Sequence, residues 1–196
     1  MEHTIRQYSL EQGALEIQFI EEMFNEFSGP KTADDIIRRL TDREHLILLS
    51  MAPSPEDPAL EIPVAFKVGH ELRARETDPQ LSDLVFHLRD VVDFNRHRVF
   101  YGWIGGTREP WRGQGHYRAL TEQQEEWAHR SGYHQFVVKT KNRFYRMRAA
   151  LDRLHFDVIK FEPNAGNIGE SKVYMGKKLG AEVLKQHRTL RAVEAA

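Results

Sequence analysis

Gly113 and Gly115 lie in a run, Glu109-Pro110-Trp111-Arg112-Gly113-Gln114-Gly115-His116-Tyr117-Arg118-Ala119-Leu120, whose residue types suit the capture of an anion. The run follows a strand-like stretch, Val99–Thr107, and leads into a helical pattern that continues through Trp127 to about Arg130. Glycines let a ligand approach the backbone closely. The first N–H groups of a helix have no partners inside it and point outward, with the positive end of the dipole behind them. Consecutive amides of Gly113, Gln114, Gly115, His116 and Tyr117 are therefore expected to form a nest for a pyrophosphate. A Walker loop is excluded, because the Gly176-Lys177-Lys178 step lacks both the upstream glycine and the hydroxyl. A dinucleotide fingerprint is excluded as well, since the turn holds only Gly113 and Gly115.

What remains resembles the GCN5-related N-acetyltransferases, whose CoA-binding turn reads Arg/Gln-x-x-Gly-x-Gly/Ala. Arg112 and Gly115 match its first two fixed positions, and Tyr117 stands where the family has Gly or Ala. The order of elements is similar too: Val99–Thr107, Gly115–Arg130, His134–Thr140, Asn142–Leu154, then His155-Phe156 in place of a Gly-Phe pair. Strands near Asp157–Glu162 and Lys172–Lys178 complete it, so the likeness spans residues 99–179. A narrower likeness, to members reading Trp-x-Gly-Gly-x-x-x-x-x-Arg-Gly-x-Gly, runs from Trp103 to Gly115.

The resemblance implies an α/β fold of the α+β type: a mixed, mostly antiparallel sheet of six to seven strands, flanked by helices, with splayed central strands. It implies acetyl-CoA as acyl donor and direct attack by a primary amine, on a small molecule or a peptide, in a ternary complex. It also implies a bulge at Gly105, Gly106 and Thr107 that pairs with the pantetheine arm and polarises the thioester oxygen. Members often carry a tyrosine acid five residues before the phenylalanine, but counting back from Phe156 gives Leu151. That departure leaves room for a sensor that binds acyl-CoA without catalysis. A transferase using another acyl group is a further alternative. A homodimer is compatible with the family pattern.

Other residues have two readings each. Asn142 is either a helix N-cap or, by the resemblance, a cofactor contact. Tyr145 is the nearest candidate acid to the vacant position at Leu151, or else a channel or core residue. Glu71, next to His70 at the end of a strand, is a candidate base for an incoming ammonium, or a solvated strand end. The basic run Lys139, Lys141, Arg143, Arg146, Arg148 and Arg153 reads first as a solvated helix face. Nucleic acid is disfavoured, because 28 basic residues meet 29 acidic ones and Asp152 interrupts the run. The histidines show no two-ligand spacing, so no metal is expected. There is no cysteine, which excludes disulfides and a Cys acyl-enzyme.

The surrounding elements must position this chemistry. A single domain over residues 1–196 is the natural expectation at this length. The opening residues lack the apolar core of a signal peptide, and Leu46–Leu49 is too short to span a bilayer, so a cytoplasmic protein is expected. Thr4–Tyr8 reads as an edge strand. Leu15, Phe19, Met23 and Phe27 form a helical stripe closed by Gly29-Pro30, and Ala33–Leu40 carries Ile36, Ile37 and Leu40 on one side. Leu46–Met51 and Ile62–Val68 are strands joined by a Pro-rich turn, the second alternating at Val64, Phe66 and Val68. Residues 71–98 form an insertion with a helix over Pro79–Phe94, expected to line the acceptor cleft while its stripe of Leu81, Leu84, Leu88 and Val92 packs inward. The tail, Ala181–Ala196, is expected to form a docked helix.

Overall fold

The computed structural model describes residues 4–10, 14–26, 31–183 and 187. Among the described residues the strands and longer helices follow in the order β1 (Thr4–Tyr8), α1 (Ala14–Phe24), α2 (Ala33–Leu40), β2 (His45–Pro53), β3 (Glu61–Leu72), α3 (Pro79–Leu88), β4 (Val99–Thr107), α4 (His116–Arg130), β5 (Gln135–Lys141), α5 (Tyr145–Arg153), β6 (Asp157–Glu162) and β7 (Lys172–Lys178). The sheet runs β1-β2-β3-β4-β5-β7-β6. The β1–β2, β2–β3, β5–β7 and β6–β7 pairs are antiparallel. β4 and β5 are parallel, and their ladder covers only Val99–Tyr101 against Gln135–Val137. The sheet is thus mixed and mostly antiparallel. Two compact units divide the chain, Met1–His70 with Trp103–Thr121, and Glu71–Gly102 with Glu122–Ala196.

In the first unit, Ile17, Ile20, Met23 and Phe24 of α1 pack with Ile36, Leu40, Ile47, Leu49, Phe66 and Val68. The buried face of α1 mixes steps of three and four, as a 3.6-residue period requires. The expected stripe, which steps by four throughout, drifts off this face and leaves Leu15 64% exposed. Phe27, Gly29 and Pro30 lie outside the described residues. In α2, Ile36 and Leu40 are buried while Ile37 faces outward. Thr32 caps this helix by accepting from the Asp35 N–H, a contact typically worth about 1 kcal/mol. β3 does not show the alternation expected of a half-buried strand. Val64 through His70 are all buried, as in a strand covered on both faces.

In the second unit, Phe100 meets Trp127, Tyr133 and Phe136, and Phe136 meets Phe156 edge-on. A Cβ on Gly102 would sit 2.6 Å from the Phe136 ring, so only glycine fits there. The inserted helix α3 begins where Asp78 accepts from the Gln80 and Leu81 amides, with Pro79 in its first turn. Leu81, Leu84, Leu88 and Val92 are buried as expected, whereas Val91 is exposed. The helix expected from Asn142 begins instead at Tyr145. Asn142 is no N-cap: its amide donates to the Ile168 carbonyl, which holds residues 142–144 in a turn. His155 takes the left-handed backbone, φ 62°, at the end of α5, where Phe156 N–H reaches back to Leu151 C=O. This is the conformation that favours glycine, so His155 fills the role of the glycine it replaces in the Gly-Phe pair. Of the tail, the described residues are Ala181–Val183, which are helical, and His187; Leu184, Leu190 and Val193 lie outside them.

Among the described residues no helix is long and apolar enough to cross a membrane. None of their acidic and histidine side chains gather into a group that could hold a metal ion.

Candidate functional site

The glycine turn belongs to the first unit and is built on β4 and the start of α4. In a regular strand successive side chains alternate between faces. Trp103 and Ile104 both pack against the cluster of α1, α2, β2 and β3, so the alternation breaks there, as at a bulge. Gly105 then faces the other way. A Cβ on it would lie 3.2 Å from the Phe66 carbonyl, 3.4 Å from Lys67 and 3.6 Å from the Tyr117 ring. Arg108 N–H donates to Val64 C=O and holds the end of β4 on β3.

A short 3-10 turn, Glu109–Trp111, delivers the chain to Arg112, whose Nε donates to Thr107 C=O at 3.1 Å. The arginine of the motif thus buttresses the loop from within. Gly113 and Gly115 both take positive φ, 82° and 89°, and a Cβ added to either meets nothing within 4 Å. That open cradle, which side chains would fill, fits a pyrophosphate approaching the backbone. The first bond of the α4 ladder is Ala119 N–H to Gly115 C=O, so the amides before it face the turn. Gln114 Nε2 donates to Pro110 C=O and steadies the loop.

His116 and Tyr117 direct their side chains into the unit. The His116 Nδ1 and Ser50 hydroxyl are 2.9 Å apart, both groups buried. The Tyr117 ring, bulky where the family motif has a small residue, lies beneath Gly105 with the Lys67 ammonium 4.3 Å from its centroid. Lys67 is buried and donates to the Thr121 hydroxyl at 2.7 Å. Burial pushes the Tyr117 hydroxyl well above the usual tyrosine range, with Thr121 opposing. Ser50, Lys67 and Thr121 escaped the sequence reading because a strand serine, a lone lysine and a helix threonine have no spacing that marks them.

Asn142, Tyr145 and Glu71 belong to the second unit, and the glycine-turn residues to the first. Asn142 donates to Ile168 C=O and accepts from Arg148 through both its carbonyl and its side chain. Lys141 and Arg143 both pair with Glu170. These contacts account for three members of the basic run as ties within the unit. Tyr145 opens α5 and is 65% exposed. Glu71 is the penultimate residue of β3, at the strand end where the sequence places it, with its carboxylate oxygens engaged by Arg73 at 2.8 Å and Arg98 at 3.4 Å. Leu151 is fully buried.

No family model matches the sequence, and no curated protein matches it. Solved structures do. A chain from the NatC complex bound to Gag peptide and CoA is 12% identical, with 92% of this chain and 100% of that one aligned at a TM-score of 0.68. Arabidopsis thaliana NAA60 in complex with acetyl-CoA is 11% identical over 91% of this chain and 99% of that one, at 0.69. The ribosomal-protein-S18-alanine N-acetyltransferase from Escherichia coli is 11% identical over 91% and 95%, at 0.62. The fold of this chain is that of the GCN5-related N-acetyltransferases. At such identities the likeness is one of architecture.

Proposed function

We propose that the protein binds acetyl-CoA at the Arg112–Tyr117 turn and transfers its acetyl group to a primary amine by direct attack. The observation that carries this reading is the cradle at Gly113 and Gly115, open at both Cβ positions, at the N-terminus of α4 in an acetyltransferase fold. Gly113, Gln114, Gly115, His116 and Tyr117 would hold the pyrophosphate through their amides, and Arg112 would keep the loop in shape. Gly105, Gly106 and Thr107 would receive the pantetheine arm beside the break in alternation. The bound thioester supplies an activated acyl carbon, and the chain supplies orientation and exclusion of water, which together account for a large share of the rate in favourable cases.

Peptide and protein amines stand first among acceptors, because the similar structures include one bound to a peptide and one named for a protein alanine. The residue assignments divide. Asn142 is committed to Ile168 and Arg148, which supports a structural turn more than a cofactor contact. Two guanidinium groups on Glu71 favour a tie within the unit over a base. Tyr145, exposed at the first turn of α5, stays the candidate acid by the family resemblance, though a thiol with a pKa of roughly 8.5 leaves without help.

Calorimetry with acetyl-CoA, followed by CoA release against peptides, polyamines, amino acids and aminoglycosides, tests the proposal. Binding with turnover on one amine class supports it. The buried Leu151, where many members have a tyrosine, favours a second reading, a sensor of acyl-CoA. Tight binding without turnover on any amine would establish that reading, with a cytoplasmic monomer or homodimer as its setting.

A further inference from the structure

The cradle at Gly113 and Gly115 is held by its neighbours. Both glycines take positive φ, and with no side chains they lend the backbone no packing of their own. Two hydrogen bonds steady the loop ahead of α4, Arg112 Nε to Thr107 C=O and Gln114 Nε2 to Pro110 C=O. Both are exposed, where water competes. The tie on the helix side differs. His116, the first residue of α4, turns its ring inward, and its Nδ1 is hydrogen-bonded to the Ser50 hydroxyl at 2.9 Å. Ser50 is fully buried and His116 nearly so, which keeps water from that bond.

Ser50 is itself firmly placed in the same unit. It lies in β2, paired with Ile5 of β1 on one side and Ala65 of β3 on the other. The β2–β3 register shifts at the next step, where Met51 meets Pro63 and Val64 is left over as a bulge. The carbonyl of Val64 accepts from the Arg108 N–H. One irregular point of the ladder thus meets both ends of the loop: Val64 holds its entry at Arg108, and Ser50 holds its exit at His116. Lys67 and Thr121 secure the next residue, Tyr117.

We infer that Ser50 is a positioning residue that sets the His116 end of the cradle for the cofactor pyrophosphate, a reading that rests on the proposed binding of acetyl-CoA at this turn. The hydrogen bond acts through the imidazole on the first turn of α4, so the amides from Gly113 to Tyr117 are arranged before the ligand arrives. Preorganisation of this kind strengthens binding, because the ligand has less order to impose. A loop that contains two glycines has the most freedom to remove. Ser50 itself contacts no ligand in this role.

Calorimetry with acetyl-CoA on the full chain, Ser50→Ala, His116→Ala and the double variant tests this. Each single variant should bind about three- to tenfold more weakly, the scale of one lost buried hydrogen bond. The double variant should be no weaker than the worse single one, because the two residues act as a pair. His116→Asn carries a side-chain nitrogen close to the place of Nδ1, and should bind within about twofold of the original chain. A role in packing alone would leave asparagine little better than alanine. In each weakened variant the Ala119 amide, which donates to Gly115 C=O in the first turn, should exchange with solvent several-fold faster by NMR. Ser50→Cys keeps the volume and weakens the bond, so it reads the same loss if Ser50→Ala does not fold. Unchanged affinity in both single variants, or a double variant whose loss is the product of the two, would overturn the inference, while Gly115→Val still reports on the turn. An original chain that does not bind acetyl-CoA would sink both readings.

Discussion

The ammonium of Lys67 lies 4.3 Å from the centroid of the Tyr117 ring, inside the unit that carries the glycine turn. A bulky residue at a position the family motif reserves for a small one is thus turned away from the turn and put to use below it. The ring covers a buried cation whose hydrogen bond to Thr121 joins β3 to α4. Tyr117→Ala should therefore destabilise the fold by roughly 3 kcal/mol, combining a cavity with a lost desolvated cation–π contact. Tyr117→Phe should cost less than about 1 kcal/mol, because the ring stays. Urea denaturation of the two variants separates them, and equal losses would mean that the hydroxyl, not the ring, matters.

Gly115→Val should weaken acetyl-CoA binding at least tenfold while the far-ultraviolet circular dichroism stays intact. The new side chain would occupy the open space of the cradle and would strain a backbone at φ 89° by about 1–3 kcal/mol. Calorimetry on both forms is the measurement. Unchanged affinity in a folded variant would place the pyrophosphate elsewhere.

His155→Gly should stabilise the chain by up to about 1 kcal/mol, since glycine adopts the left-handed backbone without the side-chain penalty. The gain is capped because glycine also enlarges the entropy of the unfolded chain. Thermal melts of the two forms decide, and a lower Tm for the glycine form would show that the imidazole makes a contact worth more than the strain.

Glu170 links acid pH to the Lys141–Arg143 turn. The Lys141 hydrogen bond lowers its pKa from an ordinary 4.5; loss of hydration opposes it next, and the charges of Arg143 and Lys141 with the Arg143 hydrogen bond keep the net direction downward. The folded chain holds the carboxylate more strongly than the unfolded one. This contribution is therefore fully present above about pH 4.5 and is lost as pH falls through the lower folded value. Acid titrations of Glu170→Gln should lack that part of the stability decline, and an acid limb identical to the original would remove Glu170 from it. The same variant should leave acetyl-CoA affinity unaltered.

Strand and helix order was legible where local chemistry is strong. Val99–Thr107 opens on the aromatic and β-branched run Val99-Phe100-Tyr101, Lys172–Lys178 holds Val173-Tyr174-Met175, and both strands lie where the sequence places them. The Pro79 start of α3 was legible from the proline, whereas its cap, Asp78, is seen only in the structure. The failures have physical causes. A rigid step of four mis-assigned Leu15, because helical phase depends on which neighbours α1 meets. Asn142 reads as a cap in any local window, and only Ile168, distant in sequence, draws its amide elsewhere. The glycine turn was legible as a motif, but the inward path of the Tyr117 ring depends on Lys67 and Gly105, which no spacing rule connects.

Glu125, on α4, is fully buried with Lys177 Nζ at 2.7 Å and the His187 Nε2 at 2.9 Å on the same carboxylate oxygen. Lys177 also donates to the Leu154 carbonyl, so its charge is satisfied from two sides. The imidazole of His187 thereby plugs into the interior of the second unit. A polypeptide ending before residue 187 would leave Glu125 with one partner fewer in a setting where an under-compensated charge is severely penalised. Three segments far apart in sequence, α4, β7 and residue 187, thus share one buried charge, so loosening any one of them leaves the other two with an under-compensated ion.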